Sequence, residues 1–334
     1  MHAWQISSFG IDSLELVERV TPVPRPGEVL VAIRAISLNF RDLMIVKGVY
    51  NPRLKLPRIP CSDGAGEILT VGEGVKNWKP GDRVAGIFMQ NWLDGPLTPA
   101  KAKGALGGDV DGMLATHAVL GDTGLVSLPS HMSYEEGATL PCAAVTAWNA
   151  LCVSALKPGD TVLIQGTGGV AVFALQFAKM RGLRVLGIST SDQKLERAAG
   201  LGLDAGFNYR KDPDWENWVV QQTGGEGVDL VVEVGGTGTL ARSLKSLRTG
   251  GTIAQIGVLA GATESVSIPS ILHKTARIQG IYVGSRLDFA AMNSAIELFR
   301  LRPVHEDFPW SRTREVLRSM EAGSHFGKLV LTVE

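Results

Sequence analysis

The central part of the chain alternates short apolar runs with stretches of helical length. The runs are rich in β-branched residues and leucine, which is typical of parallel strands buried on both faces. Such a sheet needs helices between its strands. The predicted strands are Thr161–Gln165, Arg184–Ile188, Val228–Val234, Gly251–Val258 and Ala276–Val283, and the predicted helices are Val170–Met180, Ser191–Ala199 and Thr239–Leu247. The pattern therefore predicts a doubly wound α/β domain.

Both ends of the chain show a different pattern. Short apolar strands alternate with turns rich in glycine and proline, and no long helix separates them, which predicts a small, mostly antiparallel, barrel-like unit. Between Asn91 and Gly112 the chain has no periodicity, so this long loop is either a flap over a site or a surface insertion. The predicted elements at the two ends are strands Val29–Ile36, Glu67–Val71 and Arg83–Phe88, helices Leu287–Leu301 and Thr313–Ala322, and strand Lys328–Val333.

Composition and charge narrow the class of protein. The 334 residues predict about two domains, and 33 basic residues balance 33 acidic ones, which argues against nucleic acid or an anionic membrane as the main partner. Apolar residues make up 45% and charged residues 20%, which excludes disorder by composition. The three cysteines form no CxxC pair, and the chain has neither a secretion signal nor an apolar run long enough to span a membrane. We expect a soluble, cytoplasmic, globular protein.

A glycine-rich turn follows the first central strand. Gly166 and Gly168, with the small Ala171, give the spacing of a dinucleotide fingerprint, in which the first glycine makes the turn and the second lets the backbone approach a pyrophosphate. The helix that starts at Gly169 and Val170 would direct its free N–H groups at the phosphates. An ordinary turn is the alternative reading, but the strand–turn–helix context favours cofactor binding.

The end of the second central strand indicates which dinucleotide is bound. An NAD enzyme normally places an acidic residue there, on the ribose 2′-hydroxyl, whereas this strand ends in Ser189-Thr190-Ser191. Lys194 follows on the next helix, and a nearby cation suits the 2′-phosphate of NADP(H). Asp192 argues against this reading unless it serves the helix N-terminus. A solvated helix surface remains the alternative for Lys194.

Several motifs together resemble the medium-chain dehydrogenase/reductase superfamily along essentially the whole chain. These motifs are Asn39–Asp42, Cys61–Glu67, Lys79–Val84, Gly166–Val170 and Gly327–Val330. The resemblance implies a GroES-like barrel-type catalytic domain formed by residues 1–142 and 283–334, a Rossmann NADP(H)-binding domain formed by residues 143–282, and an active site in the cleft between them. It also implies a homodimer joined at the apolar strand Ile278–Val283, although an internal strand is the alternative there.

The resemblance also raises the question of zinc. Metal-dependent members of the superfamily use a Cys-His-x-Asp segment, a Gly-His-Glu segment and a later cysteine. This chain has Asn39 at the first ligand position, Ser62 at the second and Cys142 at the third, so one thiolate of three ligands remains. The four clustered cysteines of a structural zinc lobe are also missing. The chain therefore resembles the metal-free branch of zeta-crystallin and the bacterial NADPH:quinone oxidoreductases.

The same resemblance suggests roles for particular residues. Tyr50 matches the tyrosine that enoyl-thioester reductases use as proton donor, and the alternative is a structural tyrosine buried against the barrel. Asn39 would orient nicotinamide or substrate. Arg41 and Asp42 are expected to brace their own loop, and His117 is expected to be structural. The remaining positions are predicted cofactor contacts: Phe40, Thr146, Tyr209, Val234, Gly257, Val258, Leu259, Tyr282, Val283, Phe326 and Lys328.

The predicted function is reduction of quinones or other conjugated carbonyls by NADPH without zinc. Reduction of enoyl thioesters or enals is the first alternative, and alcohol dehydrogenase activity is the second. A protein that binds or senses NADPH without turnover remains open as a different class. The expected partner is a small-molecule substrate, with no nucleic acid and no membrane.

Overall fold

A computed structural model describes residues 1–259, 261, 263 and 265–333. The chain forms two compact units. Unit 1 comprises Met1–Val145 and Val283–Glu334, and unit 2 comprises Thr146–Tyr282. Each unit is described separately below.

Unit 2 contains a six-stranded parallel sheet with helices in its connections. Its elements are α3 Val145–Cys152, β8 Thr161–Gln165, α4 Gly169–Met180, β9 Arg184–Ser189, α5 Asp192–Ala199, β10 Ala205–Asn208, α6 Trp215–Gln222, β11 Val228–Glu233, α7 Leu240–Ser246, β12 Leu247–Gln255, α8 Ile268–His273 and β13 Arg277–Gly280. The first residue of α3, Val145, is assigned to unit 1. The strands lie in the order β10-β9-β8-β11-β12-β13. The chain therefore reverses its direction across the sheet beside β8, where nucleotide ligands bind in open α/β folds.

The predicted alternation of strands and helices in this region is confirmed. Every residue of β8 is buried, as the unbroken apolar run requires, and Ser191 caps α5 as predicted. Three helices, α3, α6 and α8, were not predicted. The apolar runs near residues 251–258 and 276–283 also extend beyond their strands, since β12 ends at Gln255 and β13 at Gly280.

Unit 1 contains a seven-stranded sheet that is mostly antiparallel and a separate pair formed by β1 and β2. Its elements are β1 His2–Ile6, β2 Leu14–Glu18, β3 Glu28–Leu38, α1 Phe40–Val46, β4 Asp63–Val71, β5 Arg83–Gly86, β6 His117–Gly121, β7 Leu125–Ser127, α2 Tyr134–Ala138, α9 Arg286–Phe299, β14 His305–Pro309, α10 Thr313–Glu321 and β15 Lys328–Thr332. The closing strand β15 pairs with β3, so both chain ends build one sheet, and Leu329 lies opposite Leu38.

The loop from Asn91 to Gly112 packs partly into the interior of unit 1. Leu106 is 2% exposed and belongs to the apolar core. A Cβ added to Gly112 would lie 2.1 Å from the carbonyl oxygen of Cys61, so only glycine permits this approach. The second half of the loop is therefore structural, and the interpretation of the whole loop as a surface insertion is wrong.

Within the described residues, none of the helices has both the length and the apolar character needed to cross a lipid bilayer.

Candidate active site

The glycine turn of unit 2 has the geometry of a phosphate-binding loop. Gly166, directly after β8, has a φ of +72°, a left-handed conformation that favours glycine. Gly168 is the N-cap of α4 with a φ of −77°, and no heavy atom lies within 4 Å of the place where a Cβ would stand. No side-chain hydrogen bond caps α4, and the N–H groups of its first turn, including those of Gly169 and Val170, are of the kind that helices present to phosphates. The turn can therefore cradle a pyrophosphate.

A buried carboxylate fixes the loop that follows β11, next to this turn in the sheet. Glu233 is fully buried and accepts hydrogen bonds from the backbone nitrogens of Gly235 at 2.8 Å and Gly236 at 3.1 Å. The Thr239 hydroxyl donates to the same carboxylate at 2.7 Å, and the Ser243 hydroxyl donates as well.

Gln165, the last residue of β8, ties the same carboxylate to the glycine turn. Its amide nitrogen donates to Glu233 at 2.7 Å, and its amide oxygen accepts from the backbone nitrogens of Val234 and Gly235 at 3.3 and 3.4 Å. Because Gln165 directly precedes Gly166, the network holds two neighbouring strand ends in one geometry. Sequence reasoning missed both residues, although an acid at the end of an apolar run signals a buried partner.

The predicted contacts at the next strand ends lie close to this loop. A Cβ at Gly257 would stand 2.1 Å from the carbonyl oxygen of Val234, so these two backbones touch. The backbone nitrogen of Leu259 donates to the Val234 oxygen at 3.4 Å. Val258 and Leu259 are 44% and 53% exposed. The structure thus brings Val234, Gly257 and Leu259 together.

The end of β9 carries the residues predicted to select the dinucleotide. Ser189 is buried, and its carbonyl accepts from the backbone nitrogen of Tyr209 at 3.1 Å. The Ser191 hydroxyl accepts from the backbone nitrogen of Lys194 at 3.3 Å, which places Lys194 in the first turn of α5. Ser189, Ser191, Lys194 and Tyr209 were predicted separately as cofactor contacts, and the structure places them together at the end of β9.

Asp192 is engaged in the same place. Lys211 and Asn208 contact its carboxylate at 2.6 and 2.9 Å, and their hydrogen bonds hold the pKa of Asp192 below its usual range. The carboxylate is thus paired with Lys211 and Asn208, and the choice of NADP(H) over NAD(H) stays a prediction.

The other predicted cofactor contacts are dispersed over the two units. In unit 2, Thr146 is buried in α3 and Tyr282 is 45% exposed. In unit 1, Phe40 begins α1, Val283 has a φ of +60°, which is strained for a β-branched residue, and Phe326 is buried. Their roles stay predictions.

Unit 1 carries a buried polar cluster where β3 ends and α1 begins. The backbone nitrogen of Asn39 donates to Asp42 at 2.8 Å, which caps α1. The Asn39 amide nitrogen reaches the Ser62 hydroxyl at 3.4 Å, and Ser62 donates to Asp63 at 2.6 Å. The backbone nitrogen of Cys142, in a π-helical turn, donates to the other oxygen of Asp63 at 3.1 Å. The three positions that resemble zinc ligands are therefore linked to one another through hydrogen bonds.

Lys328 supplies a cation to this cluster. Its side chain is 3% exposed, and its ammonium donates to the Leu38 carbonyl at 2.6 Å and to the Asn39 amide oxygen at 2.5 Å. The predicted cofactor role of Lys328 stays a prediction, but the ammonium here faces the interior of unit 1. The pairing of Lys328 with Asn39 joins residues 289 positions apart, which the sequence could not indicate.

Burial controls the protonation of the acidic groups in this cluster. It raises the pKa of Asp42 to about 6, against the opposing charge of Arg41. It also raises the pKa of Asp63, against the charge of Lys328 and the hydrogen bond from Ser62. Burial raises the pKa of the Cys61 thiol as well, so this cysteine is not a reactive thiolate.

Tyr50 lies beside Arg41 at the edge of the same unit. The Arg41 guanidinium is 5.2 Å from the centre of the Tyr50 ring and 4.5 Å from that of Phe88, and it donates to the Leu106 carbonyl at 2.9 Å. Arg41 thus anchors the loop from Asn91 to Gly112 as well as its own. Tyr50 is 39% exposed, so it is not the buried tyrosine of the alternative interpretation.

The donor set of this cluster does not fit zinc. Of the residues at the three ligand positions, only Cys142 is a typical zinc donor, and a buried ammonium already occupies the oxygen of Asn39. Among the described residues, no group of three or more His, Cys, Asp or Glu side chains is placed to hold a metal ion.

Comparisons with known proteins find one family model in each part of the chain. A family model described as an alcohol dehydrogenase GroES-like domain matches residues 25–130, and one described as a zinc-binding dehydrogenase matches residues 169–298. A zinc-type alcohol dehydrogenase-like protein of Schizosaccharomyces pombe is 45% identical over 334 residues, which cover 97% of this chain and 96% of that protein.

Two further relatives carry more specific names. An acryloyl-coenzyme A reductase of Metallosphaera sedula is 34% identical over 250 residues, which cover 73% of each chain. The crystal structure of an NAD-dependent alcohol dehydrogenase has a TM-score of 0.91 at 32% identity and covers 100% of both chains.

The fold and the glycine turn define an oxidoreductase with a GroES-like unit and a Rossmann unit. The chain belongs to the medium-chain dehydrogenase/reductase superfamily. Membership implies a nicotinamide cofactor and a small-molecule substrate, and the expected fold class is confirmed.

Proposed function

We propose that the protein reduces quinones or other conjugated carbonyl compounds with NADPH and without zinc. The observation that carries this proposal is the cluster around Asn39, in which an amide, a hydroxyl and a buried ammonium stand where a metal would need its ligands. A conjugated carbonyl suits such a cluster, because the charge that develops on its oxygen needs only a hydrogen-bond donor. NADPH, when bound, supplies the hydride.

Residues of the chain perform the remaining tasks in this proposal. The turn of Gly166 and Gly168 holds the pyrophosphate, and Ser189, Ser191 and Lys194 hold the 2′-phosphate. Asn39 orients the nicotinamide or the substrate oxygen. Tyr50 supplies the proton that this oxygen or the adjacent carbon finally takes up, since a phenol can act as a general acid and the partial exposure of Tyr50 lets solvent return the proton.

Replacing Lys194 tests the cofactor preference. We expect Lys194→Ala to weaken NADPH binding roughly tenfold, about 1.4 kcal/mol, with little change for NADH, because only NADPH carries the 2′-phosphate. Fluorescence titration with each cofactor measures both constants. Lys157→Ala is the matched control, since Lys157 is an exposed lysine that precedes β8, at the opposite end of the strand from the glycine turn. Equal losses for NADPH and NADH would contradict the assignment.

A substrate panel tests the reaction. We expect the protein to consume NADPH with 1,4-naphthoquinone or cinnamaldehyde at a kcat/KM at least roughly tenfold above that for a saturated aldehyde, because only conjugation activates the hydride acceptor. Crotonyl-coenzyme A belongs in the panel because one relative is an acryloyl-coenzyme A reductase. Faster turnover of the thioester, or of alcohols with NADP⁺, would favour those alternatives. Tight NADPH binding with no turnover would favour a sensing role.

We also propose that β13 pairs with a second copy of the chain. It is the edge strand of the unit 2 sheet, and Ile278 on it is 38% exposed. All four residues of β13 are exposed, and the backbone groups along such an edge can pair with a strand of another chain. Sedimentation analysis distinguishes a dimer from a monomer.

A further inference from the structure

Arg41 links three parts of unit 1 that lie apart in the sequence. Its guanidinium contacts the ring of Tyr50, with 5.2 Å between Cζ and the ring centre, and the ring of Phe88 at 4.5 Å. The same group donates to the carbonyl of Leu106, in the loop from Asn91 to Gly112, at 2.9 Å. The Arg41 side chain is 10% exposed, so the surrounding residues determine where it lies.

Gly108, in the same loop, leaves room for this guanidinium. A Cβ added to Gly108 would lie 2.5 Å from Nη2 of Arg41, whereas the other atoms near it, the Ala105 carbonyl oxygen and Arg41 Cζ, would be at 3.6 Å. Gly108 does not have a positive φ, so an alanine there would not strain the backbone. An added methyl group would therefore displace the end of the Arg41 side chain and little else.

We propose that Arg41 is a positioning residue for Tyr50 and that the loop from Asn91 to Gly112 acts on the reaction through it. Leu106 and Gly108 set the place of the guanidinium, and the guanidinium holds the Tyr50 ring by an attractive contact between a cation and an aromatic face. A reacting group that is displaced by about 1 Å loses roughly a hundredfold in rate. That Tyr50 donates a proton rests on the proposed function, whereas the ordering of Tyr50 by the loop does not.

The Gly108→Ala variant tests this role and leaves both side chains chemically intact. We expect kcat with cinnamaldehyde to fall at least roughly tenfold, while the dissociation constant of NADPH stays unchanged. In the Tyr50→Phe background, which lacks the hydroxyl, the same substitution should have no further effect, because residues that act as a unit are not additive. Circular dichroism verifies the folds. Gly121→Ala is the matched control, since Gly121 also lies in unit 1, has a φ of −64° and has open surroundings.

An equal proportional loss in both backgrounds would overturn the proposal, because the loop would then act on turnover without Tyr50. An unchanged kcat in folded Gly108→Ala would overturn it as well. Should Gly108→Ala not fold, Arg41→Gln takes its place in the same comparison. A glutamine amide still donates a hydrogen bond but has no guanidinium to lie against the ring.

A spectroscopic measurement tests the contact without any substrate. The chain has four tyrosines, so in protein labelled with 3-fluorotyrosine the fluorine NMR signal that is missing from Tyr50→Phe is that of Tyr50. We expect Gly108→Ala and Arg41→Gln to shift this signal and to leave those of the other tyrosines in place, and Gly121→Ala to shift none. An unmoved Tyr50 signal would overturn the proposal. If the natural chain reduces no conjugated carbonyl, or if Tyr50→Phe keeps the full rate, the proposed function fails, and the fluorine signal still decides whether the loop orders Tyr50.

Discussion

The Gly168→Val variant is expected to fold normally and to lose cofactor affinity by roughly a hundredfold, about 2.7 kcal/mol. Gly168 has a φ of −77°, which valine adopts readily, and a Cβ there would meet no heavy atom within 4 Å. The new Cβ would therefore meet no atom of the protein, whereas the side chain would fill the space into which a pyrophosphate must fit. Calorimetric titration with NADPH measures the loss.

Gly121→Val is the matched control for this variant. Gly121 has a φ of −64°, and its surroundings are also open, but it lies in unit 1 at the end of β6. We expect it to bind NADPH as the natural chain does. If Gly168→Val kept full affinity, the pyrophosphate could not bind at this turn.

The Glu233→Ala variant is expected to be less stable by about 3 kcal/mol. The carboxylate accepts from five donors, and its removal would leave the buried Ser243 hydroxyl and the backbone nitrogen of Gly236 without the acceptor that the structure gives them. The donors are the side chains of Gln165, Thr239 and Ser243 and the backbone nitrogens of Gly235 and Gly236. Urea unfolding followed by circular dichroism measures the change in the free energy of unfolding.

Because the same network fixes the end of β8, NADPH affinity should fall together with stability in Glu233→Ala. Glu233→Gln keeps the size of the side chain and one acceptor oxygen, so its loss should be intermediate. Glu226→Ala, at an exposed glutamate in the same unit, should change neither quantity. A Glu233→Ala variant as stable as the natural chain would mean that water or a rearranged loop satisfies these donors.

The fold could be predicted from the sequence where periodicity decides the structure. The runs at β8 and β11 are apolar because both faces of the sheet are covered, so their strands were identified. The last two predicted strands ran past the observed ends at Gln255 and Gly280, because hydrophobicity does not show where strand pairing stops. Gly257 leaves the ladder to pack against the backbone of Val234, a contact that depends on the lack of a side chain.

In the candidate site, too, local features could be predicted from the sequence and contacts between distant residues could not. The glycine turn and the Ser191 cap are local features, and the structure confirms their geometry. The pairs Gln165–Glu233 and Asn39–Lys328 join residues that are 68 and 289 positions apart, so no local pattern indicates them. The missing zinc ligands were visible in the sequence, but the ammonium that bonds to Asn39 became visible only when β15 was placed beside β3.

The most direct test of the account is the rate at which the protein turns over NADPH and a conjugated carbonyl with and without bound metal. The metal content of the purified protein is measured first, and a chelator then removes any metal that is present. We predict that the rate with 1,4-naphthoquinone or cinnamaldehyde is the same before and after chelation and does not rise when zinc is added. A rate that disappears with the metal and returns with stoichiometric zinc would contradict it.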